Sequence, residues 1–358
     1  MNRIGVDIGG TFTDFALVGP GRPLAVHKQL TTPSDPSHAV LEGIDVVLKR
    51  NALGLGEIAE IAHGTTLVTN AIIERKGART GMLVTKGFAD LLEIGLEQRY
   101  ELFDLRLRFA PPVVRRADRA EIAERVRYDG SIEMKLDAEE VREKIAGLVA
   151  SGIESLAICF LHAYANPEHE EAVRRIAAKH FPDLYVSSSA DVFPYLREFE
   201  RWTTTTVNAY AQPGFDRYLR RLEGGLGERG FKGRLFLMSS SGGIVSPETA
   251  RRYPVRMLES GPAAGVLMST EHGRRLAIDD LLGFDLGGTT AKGSLIRGGR
   301  PLKRYEMEVA RTYHHKRGSG LSLKLPVIDM TEIALLFGSA RTSRIVSERG
   351  LTPFFLSS

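Results

Sequence analysis

Apolar and polar positions alternate from the start of the chain: Ile4, Val6 and Ile8 are apolar with Gly5 and Asp7 between them, Gly9-Gly10 interrupts, and a second apolar stretch covers residues 15–18. The pattern predicts a strand, a tight turn whose glycines take left-handed backbone, and a second strand. The same word returns late in the chain. Leu282, Phe284 and Leu286 alternate with Gly283 and Asp285, and Gly287-Gly288-Thr289 stands where the first copy has Gly9-Gly10-Thr11. Between the copies, Val40, Leu41, Ile44, Val47 and Leu48 recur at helical spacing behind Asp35-Pro36-Ser37, which predicts a helix closed by Gly54 and Gly56. Residues 61–73 read as a strand that breaks at His63-Gly64 and a helix entered through hydroxyl residues. Strands are expected at 79–84, 155–160, 184–186 and 235–238. Helices are expected at 89–92, after Asp137, after Asn166-Pro167, from about 195, and from Ser260. This alternation argues for an α/β fold.

Composition adds bounds. A chain of 358 residues is long for one core and suits two domains, and 43% apolar with 26% charged residues is ordinary for a globular protein. A net charge of +4 suits a polyanionic ligand without calling for nucleic acid. Cys159 is the single cysteine, so neither a disulfide framework nor a Cys-based metal site is available; inside its apolar run it reads as a buried strand residue. His162 and His169 lack metal spacing and read as structural. The chain enters its first strand at once and no apolar run approaches ~18 residues, so neither a signal peptide nor a membrane span is expected, and the expected location is cytoplasmic. Across 99–127 periodicity is lost. Arg106, Arg108, Arg115, Arg116, Arg119, Arg125 and Arg127 interleave with Asp104, Asp118, Glu121 and Glu124, the pattern of a solvated or subunit-facing connection.

The repeated word carries the candidate chemistry. A glycine pair lets backbone N–H groups approach a phosphate, and Thr11, Thr13, Thr289 and Thr290 add hydroxyl donors. Asp7 and Asp285 are hard oxygen ligands suited to Mg²⁺ or its waters. Two such hairpins in register suggest two related lobes gripping one nucleotide polyphosphate, the layout of the actin-like, sugar-kinase and heat-shock ATPase fold with its ribonuclease H-like lobes. His63-Gly64-Thr65-Thr66 at a helix start suits an anion or carbonyl site, or equally a good N-cap beside a hydrogen-bonded His63. Ser239-Ser240-Ser241-Gly242-Gly243 follows a strand, where open α/β sheets place ligands, and the Glu259-Ser260-Gly261-Pro262 helix start suits either a cleft or close packing.

Five words in one order, Asp7-Ile8-Gly9-Gly10-Thr11-Phe12-Thr13-Asp14, His63-Gly64-Thr65-Thr66-Leu67-Val68-Thr69-Asn70-Ala71, Ser241-Gly242-Gly243, Ser260-Gly261-Pro262-Ala263-Ala264-Gly265 and Asp285-Leu286-Gly287-Gly288-Thr289-Thr290-Ala291-Lys292, resemble the hydantoinase/5-oxoprolinase family, specifically its ATP-utilising A subunit. The resemblance covers roughly residues 1–333. It implies phosphoryl transfer from ATP to the carbonyl or amide oxygen of a cyclic amide such as a hydantoin or 5-oxoproline, which is then opened. The alternatives it leaves are an acetone- or acetophenone-type carboxylase subunit and a non-catalytic remnant. It implies ATP and Mg²⁺ as cofactors, with Gly9, Gly10, Thr11, Thr13, Gly287, Gly288, Thr289 and Thr290 on phosphate, Asp7 and Asp285 on Mg²⁺, and His63, Thr65 and Thr66 at the substrate carbonyl. Lys292 suits phosphate or the outer face of its hairpin. The implied partners are a small cyclic amide and a B-type subunit in an oligomer, with no nucleic acid and no membrane. The expected domains are 1–190 and 191–333, with an atypical tail at 334–358. Family members continue well past this point, so the second lobe is expected to be incomplete, the chain truncated or frameshifted, and the apolar residues of its tail exposed.

Overall fold

The structure, a computed structural model, describes residues 1–32, 34–286, 290–313 and 316–334. Strands β1 (Asn2–Ile8) and β2 (Phe12–Val18) pair antiparallel with Ile8 opposite Thr13, as the alternation predicts. Ile4, Val6, Ile8, Phe15 and Leu17 enter the core, which leaves Asp7 and Asp14 together on the opposite face. Strand β3 (Ala25–Leu30) continues the ladder. Helix α1 (Pro36–Arg50) starts where the Asp35 carboxylate accepts the Ser37 N–H at 3.1 Å, with Pro36 in the first turn. Strand β4 (Ile58–Thr65) runs parallel to β1, and it continues through His63-Gly64 where a break was expected: His63 pairs with Val6, Gly64 with Asp7 and Thr65 with Ile8. Helix α2 (Leu67–Ile73) follows.

A separate unit then intervenes. Strand β5 (Thr80–Thr85), strand β6 (Arg119–Ile122), helix α3 (Ala138–Ala150), strand β7 (Ser155–Cys159), helix α4 (Glu168–His180) and strand β8 (Tyr185–Ser188) build a four-stranded parallel sheet in the order β8-β7-β5-β6. Cys159 is fully buried in it, as expected. His169 is buried against Glu124 at 2.7 Å, so its role is structural. The arginine-rich stretch is only partly a solvated connection: the Arg119 side chain is fully buried and bound by Glu93, while Asp118 holds Arg79 and Arg115 at 2.9 and 2.6 Å. Paired charges can enter a core that excludes lone ones.

Helix α5 (Glu198–Glu228) leads back, and β9 (Arg234–Met238) joins the first sheet beside β4, edged by β10 (Ile244–Val245). The sheet order is β10-β9-β4-β1-β2-β3, with β1, β4 and β9 parallel. The sheet that begins at Asn2 is therefore completed by residues beyond 190, and a boundary there falls between the two ends of one sheet. Helix α5 joins both units: Val207, Phe215, Leu219 and Leu222 pack in the first core, and Trp202 and Ala209 against Met82, Val84 and Cys159. Its buried threonines need no outside partner, because Thr203, Thr204 and Thr205 donate to carbonyls one turn back at 2.7, 2.7 and 2.8 Å.

Helix α6 (Ser260–Arg275) precedes the second hairpin, β11 (Leu281–Leu286) and β12 (Thr290–Arg297), which pair antiparallel with Asp285 opposite Lys292. A ribbon of β13 (Met307–Val309) and β14 (Leu321–Leu323) returns to the first core, and β15 (Thr331–Ala334) pairs with the free side of β12. The tail set apart by sequence lies, after 334, outside the described residues.

Candidate active site

Parallel strands β1, β4 and β9 end side by side, and their loops carry Gly9-Gly10-Thr11, Thr66 and Ser239-Ser240-Ser241. This is the edge where open α/β sheets collect ligands. The first turn is laced by Thr31, whose N–H donates to the Thr11 carbonyl at 2.9 Å and whose hydroxyl donates to the Gly9 carbonyl at 3.0 Å. The Gly9 N–H closes the turn on the Phe12 carbonyl at 2.8 Å. Neither Gly9 nor Gly10 takes the left-handed backbone expected of them. What the turn uses is the small size of Gly9, since a Cβ there would sit 3.1 Å from the Phe12 oxygen. The N–H groups of Gly10 and Thr11 meet no acceptor among the described residues, and both residues are exposed. Thr13 is different. It is fully buried with its hydroxyl 3.0 Å from that of Thr31.

Asp7 is the centre of the constellation. Its carboxylate lies over two glycines from other elements: a Cβ on Gly64 would stand 2.7 Å from one of its oxygens, and a Cβ on Gly261 2.9 and 3.0 Å from the pair. Water reaches it, yet protein surrounds it on most sides. That crowding, and then the like charges of Asp14 and Asp285, raise its pKa above the ordinary carboxylate value, while Lys28 and Lys292 pull it down. Charges on both hairpins thus act on one group. Asp14 is held by Lys28 at 3.0 Å. Among the described residues no three His, Cys, Asp or Glu groups cluster closely enough to cage a metal ion. Asp7 and Asp285 are carboxylates that could take part in the other mode of Mg²⁺ binding, in which one or two carboxylates share the ion with phosphate oxygens and water.

His63 is buried, and the cause of its state is local. Its ring lies 3.4 Å from the Val6 carbonyl through Nδ1 and 2.6 Å from the Tyr218 hydroxyl through Nε2. A carbonyl can only accept, so Nδ1 carries the proton and the Tyr218 O–H donates to Nε2. Burial lowers the His63 pKa to about 4, so the ring is neutral. Thr65 is also fully buried, its hydroxyl accepting the Leu67 N–H at 3.1 Å. Thr66 is half-buried and donates to the Ile8 carbonyl at 3.1 Å, within the loop. Of these three, Thr66 alone has exposed surface at the strand ends. Gly287, Gly288 and Thr289 lie outside the described residues, and Thr290 opens β12.

Ser260 ties the second region to the first. Its hydroxyl accepts the Thr65 N–H at 3.1 Å and donates to the Thr65 carbonyl at 3.0 Å, both buried. Glu259, just before it, has left-handed backbone at φ 54°, and its carboxylate binds Lys292. Lys292 therefore faces the start of α6 and not the outer face of its hairpin. Sequence reasoning missed Asp14, Tyr218 and Glu259. Asp14 could have been found, because residues 7 and 14 lie equally far from the turn and must share a face.

The hydantoinase/oxoprolinase N-terminal region matches residues 3–181, and the hydantoinase/oxoprolinase region matches 201–350. The second match continues past 333, the end of the stretch over which the sequence resembles the family. The caprolactamase alpha subunit of Pseudomonas jessenii is 33% identical over 83% of this chain and 44% of its own length. The crystal structure of that ATP-dependent caprolactamase superimposes with a TM-score of 0.81 over 92% of this chain and 48% of its own, at 30% identity. A nucleotide-free acetone carboxylase structure gives 0.80 at 27% identity, over 93% of this chain and 48% of its own. The 5-oxoprolinase of Saccharomyces cerevisiae is 31% identical over 93% of this chain and 28% of its own length. The chain spans about half the length of the first two.

Proposed function

This chain belongs to the hydantoinase/oxoprolinase family, and we propose that it is the nucleotide-binding part of an ATP-dependent subunit that opens a cyclic amide in company with a B-type subunit. The observation that carries the reading is the junction at the start of α6, where Gly261 lies against the Asp7 carboxylate of the first hairpin and Glu259 binds Lys292 of the second. The sheet order supports the actin-like layout: three antiparallel strands followed by two parallel ones, then a second hairpin in another sheet, which would belong to the second lobe. The unpartnered amides of Gly10 and Thr11 would hold phosphate oxygens with the Thr11 hydroxyl, and Gly287, Gly288, Thr289 and Thr290 would do so from the other side. Asp7 and Asp285 would hold Mg²⁺. What the nucleotide supplies when bound is an electrophilic phosphoryl group for the amide oxygen, converting a resonance-stabilised carbonyl into one that water can open.

Thr66 is the residue proposed to touch the substrate carbonyl. For His63 and Thr65 we propose a positioning role, because both are enclosed and committed to partners that fix the end of β4. The likeness to acetone carboxylase favours a second reading, carboxylation of a ketone, which shares the nucleotide chemistry. ADP release by the chain, with and without an added B-type subunit, separates the two. Stimulation by hydantoin or lactam without bicarbonate is expected; stimulation only by ketone with bicarbonate would replace the first reading by the second.

A further inference from the structure

A cavity of about 380 Å³ lies where the inserted unit, α5 and the β13–β14 ribbon meet, within the roughly 300–1,000 Å³ range of small-molecule sites. Leu96, Tyr100 and Phe109 line it from the stretch between β5 and β6. Phe199 and Val207 line it from α5, and Met307 and Leu321 from the ribbon. These walls are tied to one another. The Tyr100 ring packs edge-on against Phe109 and tilted against Tyr313, with centroids 5.7 and 5.8 Å apart, and Lys316 binds Glu101 at 2.8 Å. Gly318, at φ 89°, brings the turn of the ribbon so close that a Cβ there would stand 3.1 Å from the Tyr100 Cβ. A pocket braced in this way is preformed, which lowers the cost of binding. None of the residues placed around Asp7 lines it. Arg304, Met307, Glu308 and Arg311 stand between it and a smaller cavity of about 250 Å³ beside the Lys292–Glu259 pair, since all four line both.

Its charge is one-sided. Each glutamate on the wall already holds a cation: Glu93 has Arg119 at 2.7 Å, Glu306 has Lys324 at 2.8 Å, and Glu308 has Arg311 at 3.0 Å. Arg119 and Lys324 stand outside the lining, so these pairs consume little of the cavity's own positive charge. Arg99 and Arg317 are exposed at its mouth, and neither has a carboxylate partner among the described residues. Arg304 reaches Asp329 at 3.2 Å and the Met330 carbonyl at 3.3 Å through its outer nitrogens, yet its Nε is buried without an acceptor among the described residues. Guanidinium donors left over in this way suit a carboxylate, which accepts N–H bonds through both oxygens. The aromatic and aliphatic walls behind them suit a hydrocarbon ring. A neutral ring would leave the donors unused. A bare inorganic anion would leave the apolar walls unfilled.

We infer that this cavity is a ligand site separate from the Asp7 cleft, and that it takes a small carboxylate carrying an apolar ring, the carboxylate on the uncommitted guanidinium donors and the ring against Tyr100, Phe109 and Phe199. A ligand held there touches the inserted unit, α5 and the ribbon at once and fastens them together. Its binding depends on no nucleotide.

The test uses the full 358-residue chain. Ligand-observed NMR follows phenylacetate and its neutral counterpart phenylacetamide, with inorganic phosphate and Mg-ATP added as competitors. Saturable binding of phenylacetate is expected, with phenylacetamide about tenfold weaker, phosphate competing only at about tenfold higher concentration, and Mg-ATP displacing nothing. Arg317→Gln, on an exposed turn, should weaken phenylacetate about tenfold and leave phenylacetamide unchanged, a split that a general loss of structure would not produce. Leu96→Trp, at a position 43% exposed, fills the cavity and should weaken both ligands. Phe109→Ala replaces it if thermal melting shows that it does not fold. Absent phenylacetate binding, equal binding of the amide, binding unchanged in the variants, or displacement by Mg-ATP would each overturn the inference.

Discussion

Asp7 keeps its place because Gly64 and Gly261 have no side chains. Alanine at either position would push a methyl group to within 2.7 to 3.0 Å of the carboxylate oxygens, so the acid must turn away. Gly261→Ala is therefore expected to weaken Mg-ATP binding about tenfold or more while the melting curve stays cooperative, a combination that calorimetry and circular dichroism check together. His63 makes a different prediction, on stability. Its folded pKa of about 4 lies below the unfolded 6.5, so between these values the unfolded chain binds more protons, and stability is lost as pH falls through that window. The loss at pH 4 is on the order of 3 kcal/mol. His63→Phe should flatten the dependence of urea midpoints on pH between 4 and 6.5, and Tyr218→Phe, which strands a buried acceptor, should cost about 1–3 kcal/mol at pH 8. The sequence singled out both Asp7 and His63. It could not supply Tyr218, 155 residues from His63, because that contact exists only once α5 lies across the sheet.

At the scale of elements, the join between β4 and α6 decides whether the two hairpins act together. One hydroxyl, Ser260, satisfies both the N–H and the carbonyl of Thr65. Ser260→Ala leaves two buried backbone groups without partners, which is expected to cost roughly 2–4 kcal/mol. It should also loosen nucleotide binding, since Gly261 moves with the helix start. Chemical denaturation measures the first effect and calorimetry the second; a stable variant that binds normally would show that the join is incidental. Most elements were legible from periodicity and caps, α1 with its Asp35-Pro36-Ser37 entry being the clearest. The errors have local causes. The break expected at His63-Gly64 treats the glycine as a stop, whereas it gives room to Asp7. The solvated connection expected around Arg119 fails because its partner Glu93 lies on a different element, out of reach of any local pattern.

For the whole molecule, the duplicated word was visible in sequence, and its two copies meet different surroundings. Ile4, Val6 and Ile8 are buried, whereas the corresponding Leu282, Phe284 and Leu286 are 56%, 62% and 61% exposed among the described residues. An apolar strip of this kind favours association. Phe284→Ser with Leu286→Ser should lower both ANS fluorescence and the concentration-dependent growth of scattering, and unchanged values would mean that the strip is covered in solution. Interruption of the first sheet by a second unit was not legible, because strand order across a gap from Ile73 to Arg234 depends on pairing that no local pattern encodes. We propose that the two hairpins close on one nucleotide at Asp7. Titrating Mg-ATP by calorimetry into the 358-residue chain, beside a variant carrying Asp7→Ala and Asp285→Ala, tests it most directly. Saturable, magnesium-dependent binding that disappears in a folded variant is the predicted result; a folded wild-type chain that binds no Mg-ATP, or a variant that binds it equally well, would contradict the account.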